Sequence, residues 1–475
     1  MLTIIIGLLY TLWLGSYPLF TPDEARYSEV AREMIATGDY ITPRVNGVAF
    51  LDKPILYYWL QAAGIHLFGL NEWALRFFPA LFGVLGCLIT YFASVQLFNR
   101  RTGLLSALLL ATTPLYFGGA HYADLNLEVA VLISSALLFF IVSTQNKMSA
   151  FYLYLAYISA ALAFLTKGLI GIVFPIMIIG AWIALTNQWI LLKKMRIFSG
   201  FLLFFAITAP WYLLAEHTNP AFFHFFFITQ QFTRYVGGTD FNNQMPIWFY
   251  LPIILIGFLP WSFYFIFSLK NKINSEKLFL FLWIIIIFLF FSIPKSKLIG
   301  YIFPVFPPLA ILTAQFINTI WDKKYIKNLV KISFTLTVFF LLIVVFIAPN
   351  YNTASIKPIA MQLKPLLKSQ DEVVTYQHYY QDLPLYLERQ ITMVANWDAP
   401  TINGKDNWMR EFALGKQFQN TDQWLINQTI FWQRWHSPRR LFVLMNQRDF
   451  NNFKKNAGHY HLLTISYQVV LVSNQ

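Results

Sequence analysis

The residues best suited to chemistry stand in one polar stretch, Tyr17 to Pro54, of a chain that is otherwise largely apolar: Asp23, Glu24 and Lys53. A carboxylate can take a proton from a hydroxyl or steady a developing positive charge, and a lysine can hold an anionic leaving group. More ionisable residues lie near apolar runs: Asp124, Glu128, Lys167, Glu216, Arg234, Asp240, and the pair in Pro294-Lys295-Ser296-Lys297. Such residues are costly beside a bilayer, so each is a functional candidate. Each also has a plainer reading. Asp23 and Glu24 fit the acidic first turn of a helix, where the dipole favours them, which accounts for Glu24 better than for Asp23. Lys53, just before Ile55-Leu56-Tyr57-Tyr58-Trp59, reads either as a snorkelling lysine or as a phosphate ligand at headgroup level. Asp124 reads as a loop acid or as a site residue. Lys295 and Lys297 break the positive-inside pattern and so suggest an anionic ligand on their side of the membrane.

Several chemistries are excluded. His66, His121, His217 and His224 form no HExxH spacing, so no motif indicates a catalytic zinc. There is no Walker loop, and no GxGxxG follows a strand. The single cysteine, Cys87, rules out disulfides and cysteine-built metal centres. The net charge of +13 reads as basic cytoplasmic loops and attraction to anionic lipid, not as nucleic-acid binding.

The elements that must position these residues follow from hydrophobic patterning. Of 475 residues, 57% are hydrophobic and only 12% charged, which marks an α-helical polytopic membrane protein. Apolar runs near 2–20, 76–98, 103–119, 126–144, 150–166, 168–186, 197–215, 247–269, 278–293, 299–319 and 329–348 predict about eleven spans. Residues 2–20 lack a basic n-region and a cleavage site, so they read as a retained span. Loops bearing Arg100-Arg101, Lys193-Lys194 and Lys323-Lys324 are expected on the cytoplasmic side. The loops bearing Asp23, Lys53, Asp124 and Lys167, and everything after 349, are expected on the periplasmic face. Thr21-Pro22-Asp23-Glu24 reads as a helix start with Thr21 as N-cap and Glu24 closing a capping box, and Gly38 as its stop. Between them Tyr27, Val30, Ala31 and Met34 oppose Arg26, Glu29, Arg32 and Glu33, the pattern of an amphipathic juxtamembrane helix. From 349 onward polar residues rise and short strand patterns appear at 373–376, 391–394, 441–444 and 467–472. The division predicted is a membrane domain over 1–348 and a small soluble periplasmic α/β domain over 349–475.

Four segments carry a resemblance: TPDEARYSEVAREMIATGDYITPRVNGVAFLDKPILYYW, LAFLTKGLIGIVFP, NPAFFHFFFITQQFTRYVGG and SIPKSKLIGYIFPVFPPLA. Together, over about 15–320, they resemble the C-superfamily (GT-C) membrane glycosyltransferases, in particular the bacterial lipid A aminoarabinose transferases and their protein mannosyltransferase relatives. The resemblance implies an inner-membrane enzyme that uses an undecaprenyl (polyprenyl) phosphate sugar as donor. It also implies an outer-leaflet or periplasmic acceptor, such as lipid A or another glycan, and inversion at the anomeric carbon. It places the catalytic aspartate on Asp23 and the donor-phosphate lysine on Lys53, with Lys295 or Lys297 assisting. The family's second acidic position falls on Asn126, which leaves Asp124 or Glu128 to replace it. Glu24, Arg26, Asn126, Glu128, Lys167, Arg234, Tyr57 and Tyr301 become candidate substrate-binding residues. No soluble cofactor is implied. A divalent metal is possible in relatives that carry an acid before the loop lysine and a histidine in the fourth outer loop, positions that fall here on Asp52 and Gln231. The rival readings are a protein O-mannosyltransferase, a transporter or flippase of an anionic lipid-linked substrate, and a non-catalytic scaffold. A transporter predicts internal repeats and mid-span charges, which this chain does not display.

Overall fold

The computed structural model describes residues 2–233, 235, 243–269, 272–347, 354–397, 399, 402, 407–466 and 468–475. Two compact units emerge: Met1–Ser16 with Asp52–Ala348, and Tyr17–Leu51 with Pro349–Gln475. The stretch carrying Asp23 thus groups with the C-terminal residues, whereas the division expected from the sequence assigned it to 1–348.

The first unit is a multi-pass helical membrane body. Among the described residues seven helices are long and apolar enough to span, and nine if each of two bent pairs is one span. The bends have a local cause. Arg100–Ala111 meets Pro114–Ala120 at 66°, and Tyr250–Gly257 meets Trp261–Ser268 at 111°, with Pro114 and Pro260 at the two breaks. Proline lacks the donor that would continue the ladder. Leu2–Thr11 and Ile170–Thr186 are shorter apolar helices, so each of the eleven apolar runs contains helix, although the run 2–20 is helical only over Leu2–Thr11 and not all reach spanning length. Helices dominate because a bilayer offers backbone amides no partners of their own. The central helix is Asn126–Gln145, with 89% of its apolar window buried, against 22% for Lys324–Ile347. That central helix carries Asn126 and Glu128 at its first turn.

The second unit combines the early stretch with an α/β body. A short hairpin pairs β1 (Arg44–Val45) with β2 (Val48–Ala49) through Asn46 and Gly47, whose φ values of 51° and 76° suit a tight I′-type turn. The sheet contains β3 (Glu372–Tyr376), β4 (Thr392–Val394), β5 (Leu425–Ile426), β6 (Leu441–Asn446), β7 (His461–Ser466) and β8 (Val469–Ser473), in the order β5-β4-β3-β6-β8-β7. Its first four members are parallel and β8 runs antiparallel to both neighbours. The runs at 373–376, 391–394, 441–444 and 467–472 fall on β3, β4, β6 and β8. β5 and β7 lie outside those runs because one is two residues long and the other an edge strand with exposed Leu462 and Ile465.

The helix Asp23–Thr37 belongs to this unit, and its polar face is not open. Glu24, Ser28, Glu29, Arg32 and Glu33 are all buried. They are paired internally: Arg32 donates to both Glu29 oxygens at 2.7 and 2.8 Å, and Glu33 Oε1 accepts the Gly47 N–H at 2.7 Å. The capping also differs from the expected box. Pro22 is the N-cap, with no side-chain cap bond, and Glu24 Oε2 reaches back to the Phe20 N–H at 2.7 Å. Gly38 closes the helix as expected, in the left-handed region at φ 71°, and donates to the Met34 carbonyl at 2.9 Å. Asn46 ties the hairpin to the sheet: its amide accepts the Ile391 N–H at 2.7 Å and donates to the Ile391 carbonyl at 2.8 Å.

Candidate active site

Within the membrane unit, Lys53, Lys167, Gln231, Ser296 and Tyr301 line one cavity of about 250 Å³, with Phe290 among its apolar walls. Lys167 ends the helix Ala150–Lys167, so its ammonium leaves the helix where the dipole favours a cation. It donates to Asn126 Oδ1 and stands 4.2 Å from the centre of the Tyr301 ring. Asn126 is itself oriented: its backbone N–H donates to Asp124 Oδ1 at 2.8 Å and its amide N–H to Asp124 Oδ2. With the backbone N–H and one amide N–H held by the Asp124 carboxylate, the Asn126 side-chain oxygen is turned to accept from the lysine. The result is a relay, Asp124 to Asn126 to Lys167, that helps to fix the ammonium. Gly300 makes room for this arrangement, since a Cβ there would lie 2.8 Å from the Asn126 side chain. Lys53 is oriented by the neighbouring Asp52 carbonyl, which accepts from its Nζ at 3.1 Å. Two cations, a phenol and a serine around one cavity suit a phosphate group, which needs several donors at once.

The other candidates of this unit take different places. Glu128 is fully buried beneath the relay, where Oε1 accepts the Thr166 hydroxyl at 3.3 Å. Its Oε2 has no hydrogen-bond partner among the described residues. Tyr57 is buried in Leu56–Phe68 and does not line the cavity. Lys297 is 2% exposed and donates to the Met245 carbonyl at 3.0 Å and to the Pro294 carbonyl, closing a loop instead of facing the cavity. Lys295 is exposed and likewise does not line it. Arg234 lies outside the described residues. Gln231 shares the cavity but donates its amide to the Lys167 carbonyl at 3.5 Å. Among the described residues no group of three or more histidine, cysteine, aspartate or glutamate side chains is placed to hold a metal ion.

In the second unit Asp23 opens the helix Asp23–Thr37, and Arg26 one turn later donates to its Oδ1. The other end of the same guanidinium donates to Glu411 Oε1, from the helix Trp408–Lys416. Arg26 also lies 5.5 Å from the ring centres of both Tyr27 and Phe50. Burial alone would lower the pKa of Arg26, but Glu411, with Tyr27 and Asp23, outweighs it and raises the value, so the guanidinium stays charged. Deeper in the helix, burial pushes Glu33 up to about 8, with the nearby Glu29 carboxyl adding to the rise. Glu24 is fully buried and spent on the Phe20 N–H. Sequence reasoning did not include Glu411, which no motif marks. The Asn46-Gly47 turn was likewise not read from the sequence, although its dipeptide is a hairpin signal.

Comparison with known proteins places these features. Residues 52–213 match the family model of dolichyl-phosphate-mannose-protein mannosyltransferases, and residues 359–474 match that of the aminoarabinose transferase C-terminal domain. The chain is 33% identical over 317 residues to the undecaprenyl phosphate-alpha-4-amino-4-deoxy-L-arabinose arabinosyl transferase of Aeromonas hydrophila, covering 64% of this chain and 57% of that one. To the transferase of the same name from Pectobacterium atrosepticum it is 31% identical, covering 67% and 58%. The chain thus spans less than two thirds of the length of these curated relatives. Among solved structures, ArnT from Cupriavidus metallidurans bound to undecaprenyl phosphate shares the fold with a TM-score of 0.88 at 24% identity, covering 100% of this chain and 97% of that one. The archaeal oligosaccharyltransferase AglB from Archaeoglobus fulgidus shares it with a TM-score of 0.57 at 14% identity, covering 96% and 70%. The two family models, which match separate parts of the chain, and these relatives agree in a likeness to the aminoarabinose transferases and protein mannosyltransferases.

Proposed function

We propose that this protein transfers a sugar from a polyprenyl-phosphate donor to an envelope acceptor, with inversion, at the periplasmic face of the inner membrane. The donor indicated by the relatives' names is undecaprenyl phosphate-α-4-amino-4-deoxy-L-arabinose, and lipid A is the acceptor that fits a membrane enzyme of this family. The observation that carries the reading is the cavity lined by Lys53, Lys167 and Tyr301 inside a membrane body. In the reaction an acceptor oxygen forms a bond to the anomeric carbon while the bond from that carbon to the phosphate oxygen breaks. The electron pair leaves on the polyprenyl phosphate, and Lys53 and Lys167 stabilise that charge, the kind of fixed electrostatic complement that supplies most of a transferase's rate. Asp23 takes the proton when the acceptor is a hydroxyl, and orients the acceptor when it is an already ionised phosphate. On this reading the C-terminal α/β body works on the periplasmic side, with Asp23.

The test is transfer by the purified full chain in lipid nanodiscs, with that donor and lipid A as probes. The reading expects labelled lipid A from the unmodified protein and a loss of at least tenfold at low donor concentration for Lys53→Ala, since a hydrogen bond to a charged group contributes ~1.5–3 kcal/mol. An unmodified chain that transfers nothing to lipid A or to other envelope glycans contradicts it.

A further inference from the structure

We infer that Glu411 of the C-terminal body is a positioning residue for Asp23, acting through Arg26. The inference rests on the transferase reading, in which Asp23 is the catalytic carboxylate. Arg26 is the shared element: one terminal nitrogen donates to Asp23 Oδ1 and the other to Glu411 Oε1, 385 residues away in sequence. A guanidinium is a planar fork, so holding one prong fixes the direction of the other. Tyr27 and Phe50, each with its ring centre 5.5 Å from the guanidinium carbon, flank the same plane. The Arg26 side chain is only 13% exposed, Glu411 23%, and Asp23 the most open of the three at 35%. The two inner members therefore act as a mount, and the outer one presents its carboxylate.

The mount is built by close backbone approach. In the helix that carries Glu411, Gly415 lies against β2 so tightly that a Cβ would stand 2.4 Å from Val48 Cγ1 and 2.5 Å from the Ala49 carbonyl oxygen. Asn407 caps that helix by accepting the Arg410 N–H at 3.1 Å. These contacts deliver Glu411 to Arg26, one turn before Gly415. Charge balance points the same way. Arg26 cannot lose its proton at any ordinary pH, so without Glu411 its whole charge would fall on Asp23 and hold that carboxylate in the pair instead of leaving it for the acceptor. Glu411 shares the cation and anchors it. A soluble body thereby completes a residue of the early stretch, and the C-terminal part is needed for turnover and not only for acceptor choice.

The test is a double-mutant cycle over Arg26 and Glu411, read on kcat and on KM for the donor, using the full chain in nanodiscs with undecaprenyl phosphate-α-4-amino-4-deoxy-L-arabinose and lipid A. Glu411→Ala is expected to lower kcat roughly tenfold to a hundredfold, as misplacement of a reacting group does, with KM for the donor unchanged. In an Arg26→Ala background the same change is expected to cost nothing more. Glu411→Gln, which keeps the shape and removes the charge, carries the measurement if Glu411→Ala fails to accumulate in the membrane. Losses that multiply in the two backgrounds, or that fall on KM instead of kcat, overturn the inference. An unmodified chain that transfers nothing to either probe overturns the transferase reading itself, and this inference with it.

Discussion

At the scale of single residues, the lysines of this chain separate by what their ammonium groups touch. Lys53 and Lys167 line the cavity, whereas Lys297 is spent on two loop carbonyls. Lys167→Ala should therefore raise KM for the donor about tenfold, by the same worth of a hydrogen bond to a charged group, ~1.5–3 kcal/mol. Lys297→Ala should instead lower the thermal midpoint of the purified protein and leave donor KM unchanged. A rise in KM with Lys297→Ala would return that lysine to the site. Glu33 supplies a pH signature. The folded unit keeps its proton up to about pH 8, whereas an ordinary glutamate releases it near 4.5. The folded state binds the extra proton in that window, so the stability Glu33 contributes is complete below about 4.5 and is lost as pH rises through about 8. Thermal midpoints measured from pH 5 to 9 should fall less steeply for Glu33→Gln than for the unmodified chain, with Glu29, Arg32 and Tyr379 left in place around it. Identical slopes would show that Glu33 is not the group titrating. Asp23 and Lys53 stood out as candidates in the sequence because they sit in long, specifically worded segments. Glu411 was not, because its meaning comes from a guanidinium 385 residues away.

At the scale of elements, the early stretch shows how patterning can be right about a helix and wrong about its surroundings. The spacing of Tyr27, Val30, Ala31 and Met34 marks a helix, and a helix runs from Asp23 to Thr37. Its charged side reads as solvent-facing in sequence because periodicity assigns polar residues outward by default. The structure buries that side and answers Glu29 with Arg32 at 2.7 Å, which no one-dimensional pattern can express. The hairpin that follows depends on Asn46, whose amide pairs both backbone groups of the buried Ile391. Asn46→Ala would strand a buried N–H and a buried carbonyl, each costing about 1–3 kcal/mol. The expected result is a clear drop in the thermal midpoint and loss of protection from proteolysis in residues 17–51 and 391–394. An unchanged midpoint would mean that water or a neighbour replaces the amide. The short β5 and the exposed edge strand β7 stayed unread for a simpler reason: two residues carry no period, and an edge strand need not bury one face.

At the scale of the whole molecule, composition alone established a multi-pass membrane protein, and each apolar run contains helix. The bends at Pro114 and Pro260 and the two short helices are why a list of apolar runs and a list of spanning helices differ. The grouping of Tyr17–Leu51 with the C-terminal residues lay beyond sequence reading, because it is set by isolated side-chain bonds such as Leu19 N–H to the Tyr386 hydroxyl at 3.1 Å. The central claim is that this chain glycosylates the cell envelope and that Asp23 carries the reaction. The most direct measurement is mass spectrometry of lipid A and other envelope glycans from cells lacking the gene and complemented with the unmodified chain or with Asp23→Asn, each present in the membrane at equal level. The account predicts one glycan mass that the unmodified chain restores and Asp23→Asn does not, shifted by the mass of the transferred sugar. Full restoration by Asp23→Asn, or no difference among the strains while the gene is expressed, would contradict it.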